Sequence, residues 1–218
     1  MMELSVMEQY AVLAVNDKGK ISSFDQKKMI CLIAAALLEL QMDGCITIAD
    51  KKATTNSKPE RDKAYLKPVY AFIHEKEPVK VDKVVNEFYM TLTGKPFTEL
   101  LDGVLDSLRT KGLTQKVSAG LFGGKESLVP TEKAVNDLVK QLRAALLGDA
   151  VVTETMAALV ILLDKGGCLK TYFSKDEMKS MKDALKAYAA SENGKLVADI
   201  IKQIEGIMMA ITMVTVLS

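Results

Sequence analysis

Few residues in this chain have the right type and spacing for catalysis. His74 is the single histidine, so any Ser-His-Asp or Cys-His set would have to use it. It lies in AFIHEKE near an expected helix end, where a cation complements the helix dipole. One histidine also excludes metal sites that need two. Cys31, Cys45 and Cys168 lie far apart in apolar surroundings and form no CxxC pair, so they read as buried, reduced thiols of a cytosol-like compartment. Asp102 and Asp106 fall four residues apart on one helix face, and they read as a solvated face, not an acid/base pair. The glycine-rich GLFGGK resembles a phosphate loop only in part. Ala119 stands where the first glycine belongs, and Glu126 follows Lys125 in place of the hydroxyl that would hold magnesium. No catalytic residue, metal site or cofactor is assigned.

The elements around these residues are mostly helical. Apolar residues make up 49% and charged residues 26% of the 218, with a net charge of +1. That composition builds a globular core and disfavours a protein made chiefly to coat nucleic acid. Three capping boxes, Ser5–Glu8, Ser23–Gln26 and Ser174–Glu177, mark expected helix starts. The second opens a long helix reaching about Met42, whose centre CLIAAALLEL is apolar nearly all round and belongs inside a bundle. Cys45 to Ala49 alternates like a short strand, and the basic stretch from Lys51 to Lys67 reads as an exposed loop or hairpin return. Val81, Val84, Val85, Phe88 and Leu92 have helical spacing, as do Phe97, Leu100, Leu101, Val104, Leu105 and Leu108. Leu113–Val117 and Ser127–Val129 flank the glycine-rich segment as a β-hairpin. Thr131 caps a further helix, Met156–Leu163 forms another, and the last runs from about Lys195 to Val216.

The expected fold is mainly α: a single globular helical domain over 1–218, with a central helix bundle and a projecting β-hairpin. Three apolar helices end in a charged residue plus glycine and then continue apolar: LLELQMDGCI, LDSLRTKGLT and LVILLDKGGCL. Their irregular spacing indicates recurrent helix-stop chemistry and not a repeat. The opening MMELSVMEQYAVLAV places acids where a secretory signal would place bases. The apolar Ile207–Leu217 is shorter than the roughly 20 residues a bilayer span needs. The location expected is cytoplasmic, with peripheral membrane contact.

The motifs, taken in order, resemble the Golgi phosphoprotein 3 family. The resemblance rests on LSVMEQYAVLAV, the turn at Gly19, the SFDQ helix start, AALLELQMDGCITI, the segment LDGVLDSLRTKGL with its hairpin, and ALVILLDKGGCL. It implies a non-catalytic peripheral membrane or adaptor-type protein. Its eukaryotic members bind phosphatidylinositol 4-phosphate in a basic pocket and hold glycosyltransferases by their cytoplasmic tails. The hairpin is implied to serve self-association and membrane contact. The positions implied for the pocket are occupied here by Phe24, Ile33, Thr98 and Leu101. None of the family's pocket arginines is present, and Ile, Thr and Leu cannot supply charge-assisted donors to a phosphate. This departure, with a start close to the domain itself, suggests a prokaryotic-type member.

A weaker site for an anion, a phosphoinositide-like headgroup or an anionic membrane surface is expected from Phe24, Lys27, Lys28, Arg109 and Lys111. Leu121 and Phe122 at the hairpin tip are the expected contact with a membrane, a partner protein or a second copy. Burying either side chain would contribute about 1.5–3 kcal/mol. The alternative reading is a winged-helix-like nucleic-acid-binding regulator, since a helix pair precedes the hairpin. Glu99, Asp102 and Asp106 on the would-be reading helix oppose phosphates and disfavour it.

Overall fold

The computed structural model describes residues 4–91, 93–118, 126–148 and 152–215, with the side chains of residue 193 and of 212–215 left aside. Leu92, Val216 and the hairpin tip with Leu121 and Phe122 lie outside the described residues. The fold is mainly α, as the periodicity indicates.

Two helices have almost no solvent face. Helix α1 (Val6–Ala14) is buried along its whole length, and α2 (Gln26–Met42) is buried from Met29 to Leu40. Leu, Ala, Met and Lys favour the helical state, and the apolar run leaves α2 nowhere stable but inside. The helices α3 (Lys67–Lys76), α4 (Val81–Tyr89), α7 (Glu154–Lys165) and α9 (Lys195–Thr215) all pack on α2. Helices α5 (Lys95–Thr110), α6 (Glu132–Leu147) and α8 (Lys175–Ala190) form the outer layer and show the one-sided burial of amphipathic helices. One hydrophobic cluster runs through the whole assembly.

The helix stops share one device. Gly44, Gly112 and Gly167 have φ of 69°, 70° and 73°, and the residue after each donates back to the carbonyl of Leu40, Leu108 and Leu163, at 2.8, 3.0 and 2.8 Å. These are Schellman closures, which need the left-handed conformation that glycine adopts without strain. The three recurrent segments of the sequence are therefore three copies of one stop signal.

Strands β1 (Ile46–Ala49) and β2 (Lys52–Thr55) form an antiparallel hairpin in the register Ile46↔Thr55, and β3 (Val79–Lys80) adds to the far edge of β2. The basic stretch, expected as an exposed loop or hairpin return, supplies the return strand β2 and adds a 3-10 turn at Arg61–Leu66. The second hairpin pairs β4 (Thr114–Ser118) with β5 (Glu126–Pro130), as expected of two segments flanking the glycine-rich stretch. Gly19 (φ 70°) lies against it: a Cβ there would fall 2.4 Å from the Leu128 carbonyl oxygen.

Two of the three capping boxes form, at Ser5–Glu8 and Ser174–Glu177. The Ser23–Gln26 box does not. The N-cap of α2 is Asp25, which makes no side-chain cap bond, and it is the Ser22 hydroxyl that accepts from the Phe24 N–H, at 3.3 Å. The turn enters the helix two residues later than the pattern suggests. Ser174→Ala should cost about 1 kcal/mol, whereas exposed Ser23→Ala should change stability by less than about 0.5 kcal/mol. Thermal unfolding of the two variants side by side checks this; equal losses would mean that Ser23 caps after all.

Candidate functional site

Phe24 occupies the turn between Ile21 and α2. Buried Ile21 anchors one side and buried Met29 the other. Asp25 N–H donates to the Ser22 carbonyl at 2.8 Å, and the Tyr10 hydroxyl donates to the Lys28 carbonyl at 3.2 Å, fixing the start of α2. The phenyl ring is left 94% exposed. Lys18, Lys20 and Lys27 are exposed near Phe24 in sequence, Lys20 lines the cleft beside α5, and half-buried Lys28 lies 3.5 Å from Asp25. An exposed aromatic side chain on a constrained turn, with lysines close by in sequence, is unfavourable in water and suited to a boundary between apolar and anionic layers.

Arg109 and Lys111 are engaged elsewhere. Arg109 Nε donates to Asp106 Oδ1 at 3.0 Å on its own helix. Lys111 Nζ donates to Glu8 Oε2 at 2.6 Å in a largely buried pair. Of the expected anion-site residues, Phe24, Lys27 and Lys28 share one segment, and Lys28, Arg109 and Lys111 each have a carboxylate partner.

The pocket positions implied by the family resemblance separate as well. Ile33 is fully buried in the core. Thr98 and Leu101 line an open cleft of about 530 Å³ between α5, β5 and the Gly19 turn. Its charged lining is Asp102, Asp106 and Glu126 against Lys20. Carboxylates in that number repel a phosphate instead of holding it.

The structure also contains a polar network that helical periodicity does not reveal. Glu8 and Glu39 are both buried. Glu8 accepts from Ser107 Oγ at 2.7 Å, from Lys111 Nζ and from the Ser5 backbone N–H at 3.0 Å. Glu39 accepts from the Tyr65 hydroxyl at 2.7 Å and from the Met7 N–H at 3.1 Å. Lys63 Nζ lies 3.5 Å from Glu39 and 2.7 Å from Asp43, and Ser5 Oγ sits 3.0 Å from the Tyr65 hydroxyl, joining the two halves. Burial pushes the Glu39 carboxyl above the usual carboxylate range, further than its donors and Lys63 pull it down. Burial likewise raises the Tyr65 phenol, with Glu39 beside it adding to the shift. The network ties α1, α2, the 3-10 turn and α5 together beneath a small cleft of about 270 Å³. In the sequence, Glu39 is a single acid in an apolar run, and nothing local indicates that its partners come from 26 to 32 residues away in either direction.

Of the other chemistry-bearing residues, Cys31 and Cys168, distant in sequence, meet at the buried Tyr10 hydroxyl, which lies 3.9 Å from Cys168 Sγ. Burial pushes the Cys31 thiol up to about 12, and the buried Cys168 thiol also rises, so both are held neutral and poorly nucleophilic. His74 is exposed at the end of α3, with Nδ1 3.1 Å from Thr55 Oγ1 and 3.5 Å from Glu77. Among the described residues, no group of three His, Cys, Asp or Glu side chains is placed to hold a metal ion. No described helix is long and apolar enough to cross a membrane.

Fold and site together define the class: a mainly helical bundle whose hairpin, α5 and Gly19 turn enclose an open cleft. Within that class, the chain belongs to the Golgi phosphoprotein 3 family, whose family model, Golgi phosphoprotein 3 (GPP34), matches residues 6–205. No individually curated protein matches the chain.

Two outcomes follow from the network. Lys111→Met leaves the Glu8 charge buried and should cost about 3 kcal/mol in urea unfolding; adding Glu8→Gln should recover part of it, and a neutral Lys111→Met would show the pair to be dispensable. Glu39 gives a pH dependence of definite sign. With its folded pKa raised, the folded form keeps a proton that the unfolded chain has released, so stability falls as pH rises through that window. Glu39→Gln lacks this term. Its melting temperature relative to the parent should climb as pH is raised from about 4 towards neutrality, and a flat difference would refute the assignment.

Proposed function

We propose that this chain is a non-catalytic binding domain that docks on an anionic membrane surface, with Phe24 entering the interface and Lys18, Lys20, Lys27 and Lys28 facing the headgroups. The observation that carries the reading is the 94% exposure of Phe24 on a turn fixed from both sides. Transferring the ring into the acyl boundary contributes about 2 kcal/mol, and each lysine near an anionic surface about 1 kcal/mol. Asp17 and Asp25 subtract from that sum. The result is weak, reversible, salt-sensitive attachment, which a second contact would strengthen. Leu121 and Phe122 are proposed for that second contact, with the membrane, a partner protein or another copy of the chain.

A phosphatidylinositol 4-phosphate pocket at the family's position is not part of this proposal, because Thr98 and Leu101 share their cleft with three carboxylates. The nucleic-acid reading is set aside for a related reason: Glu99, Asp102 and Asp106 are all exposed on α5.

Vesicle flotation tests the proposal. At low salt the protein should float with phosphatidylserine-containing vesicles and stay behind with pure phosphatidylcholine. Phe24→Ser should reduce the floated fraction several-fold, and Lys18→Glu with Lys27→Glu should abolish it. Failure of the parent protein to bind anionic vesicles, or full binding by Phe24→Ser, would overturn the reading.

A further inference from the structure

A second basic site lies at the other end of α2. Phe24 precedes the first turn of that helix, whereas the three-stranded sheet leaves its last turn through the bond from Cys45 N–H to the Leu40 carbonyl. Seventeen helical residues separate the two ends by roughly 25 Å. Here β2, the last turn of α3, β3 and α4 surround an open cleft of about 710 Å³. Each contributes one lysine: Lys52, Lys76, Lys80 and Lys83.

The arrangement of these lysines is costly for the protein alone. Lys52 and Lys80 stand directly opposite each other in the β2–β3 ladder, where like charges destabilise a strand pair. All four lysines are exposed, and none makes an ion pair within 4 Å among the described residues. Glu87 is the single acid among the lining residues. Lys80 is also the N-cap of α4, so the positive end of that helix opens beside the cleft with no side-chain cap on it. Asp82 in the first turn instead accepts from the Lys83 N–H, at 2.7 Å.

The cleft has an apolar side as well. Phe72, Pro78, Val79 and Met90 line it, Met90 is 57% exposed, and Lys76 Nζ lies 4.5 Å above the centre of the Phe72 ring. Convergent ammonium groups beside an apolar wall suit a multiply charged oxyanion carried on an organic moiety. We propose that this cleft binds a phosphomonoester, with Lys52 and Lys80 as the pair that the dianion bridges. Bridging converts a repulsive cross-strand pair into two attractive contacts, which explains why the fold tolerates two lysines in register.

The phosphomonoester could belong to a soluble metabolite or to a lipid headgroup, and one set of measurements separates the two. Inorganic phosphate is titrated into the ¹⁵N-labelled protein and followed by NMR. Saturable shifts at the amides of residues 52, 80 and 83 are expected, lost in Lys52→Met/Lys80→Met and retained in Phe24→Ser. Without phosphate, that double variant should melt higher than the parent, since it removes a like-charge pair; this rise also shows that the variant folds. Vesicles containing phosphatidic acid are then compared with phosphatidylserine vesicles of matched charge. A several-fold preference for phosphatidic acid, lost in the double variant, assigns a lipid source, and no preference alongside saturable phosphate binding assigns a soluble one. No saturable phosphate shifts in the parent, or equal shifts in the double variant, would overturn the proposal, whatever the flotation of Phe24→Ser shows.

Discussion

The molecule is organised by the need to bury α2 on all sides. A helix without a polar face cannot rest on the surface, so α1, α3, α4, α7 and α9 are arranged to cover it. The outer helices then need only one apolar stripe each, which is what their burial shows. The same constraint turns Glu39 into a structural problem with one solution. A carboxylate inside that helix must be given donors, and they come from the start of α1 and from Tyr65, with Lys63 close by. Through Ser5 and Glu8 the network continues to Lys111 at the end of α5. One acid in the central helix thus fixes where three other elements meet it.

Much of this was readable from the residues, for identifiable reasons. Local signals were strongest where one residue type satisfies one backbone need. The serines at 5 and 174 cap their helices, and the glycines at 44, 112 and 167 close theirs. Ser23 misled because a neighbouring serine, Ser22, takes the turn and Asp25 the cap position. The strand β3 could not be foreseen, since two residues carry no period. The roles of Lys111 and Glu39 were invisible for another reason: their partners lie 103 and 26 residues away, and only the packed structure brings them together. For the candidate site, Phe24 was marked only by the family resemblance, which places a pocket position there. Its exposure, and the withdrawal of Arg109 and Lys111 into ion pairs, needed the fold.

The net charge of +1 conceals a strong separation of sign. The cleft beside β5 gathers Asp102, Asp106 and Glu126, whereas the cleft between β2 and α4 gathers four lysines. The turn before α2 adds a third character, an exposed aromatic ring. The chain belongs to the family by its fold and sequence, and its exposed lysines cluster away from the cleft that holds Thr98 and Leu101.

The central claim is that Phe24 enters a membrane interface. The chain has no tryptophan, so Phe24→Trp introduces a single reporter on an otherwise silent background. With phosphatidylserine vesicles, its emission should shift to the blue and be quenched by lipids brominated on the acyl chains, with neither effect on phosphatidylcholine alone. Emission that keeps the maximum of a water-exposed indole, unquenched on anionic vesicles to which the protein is bound, would contradict the account.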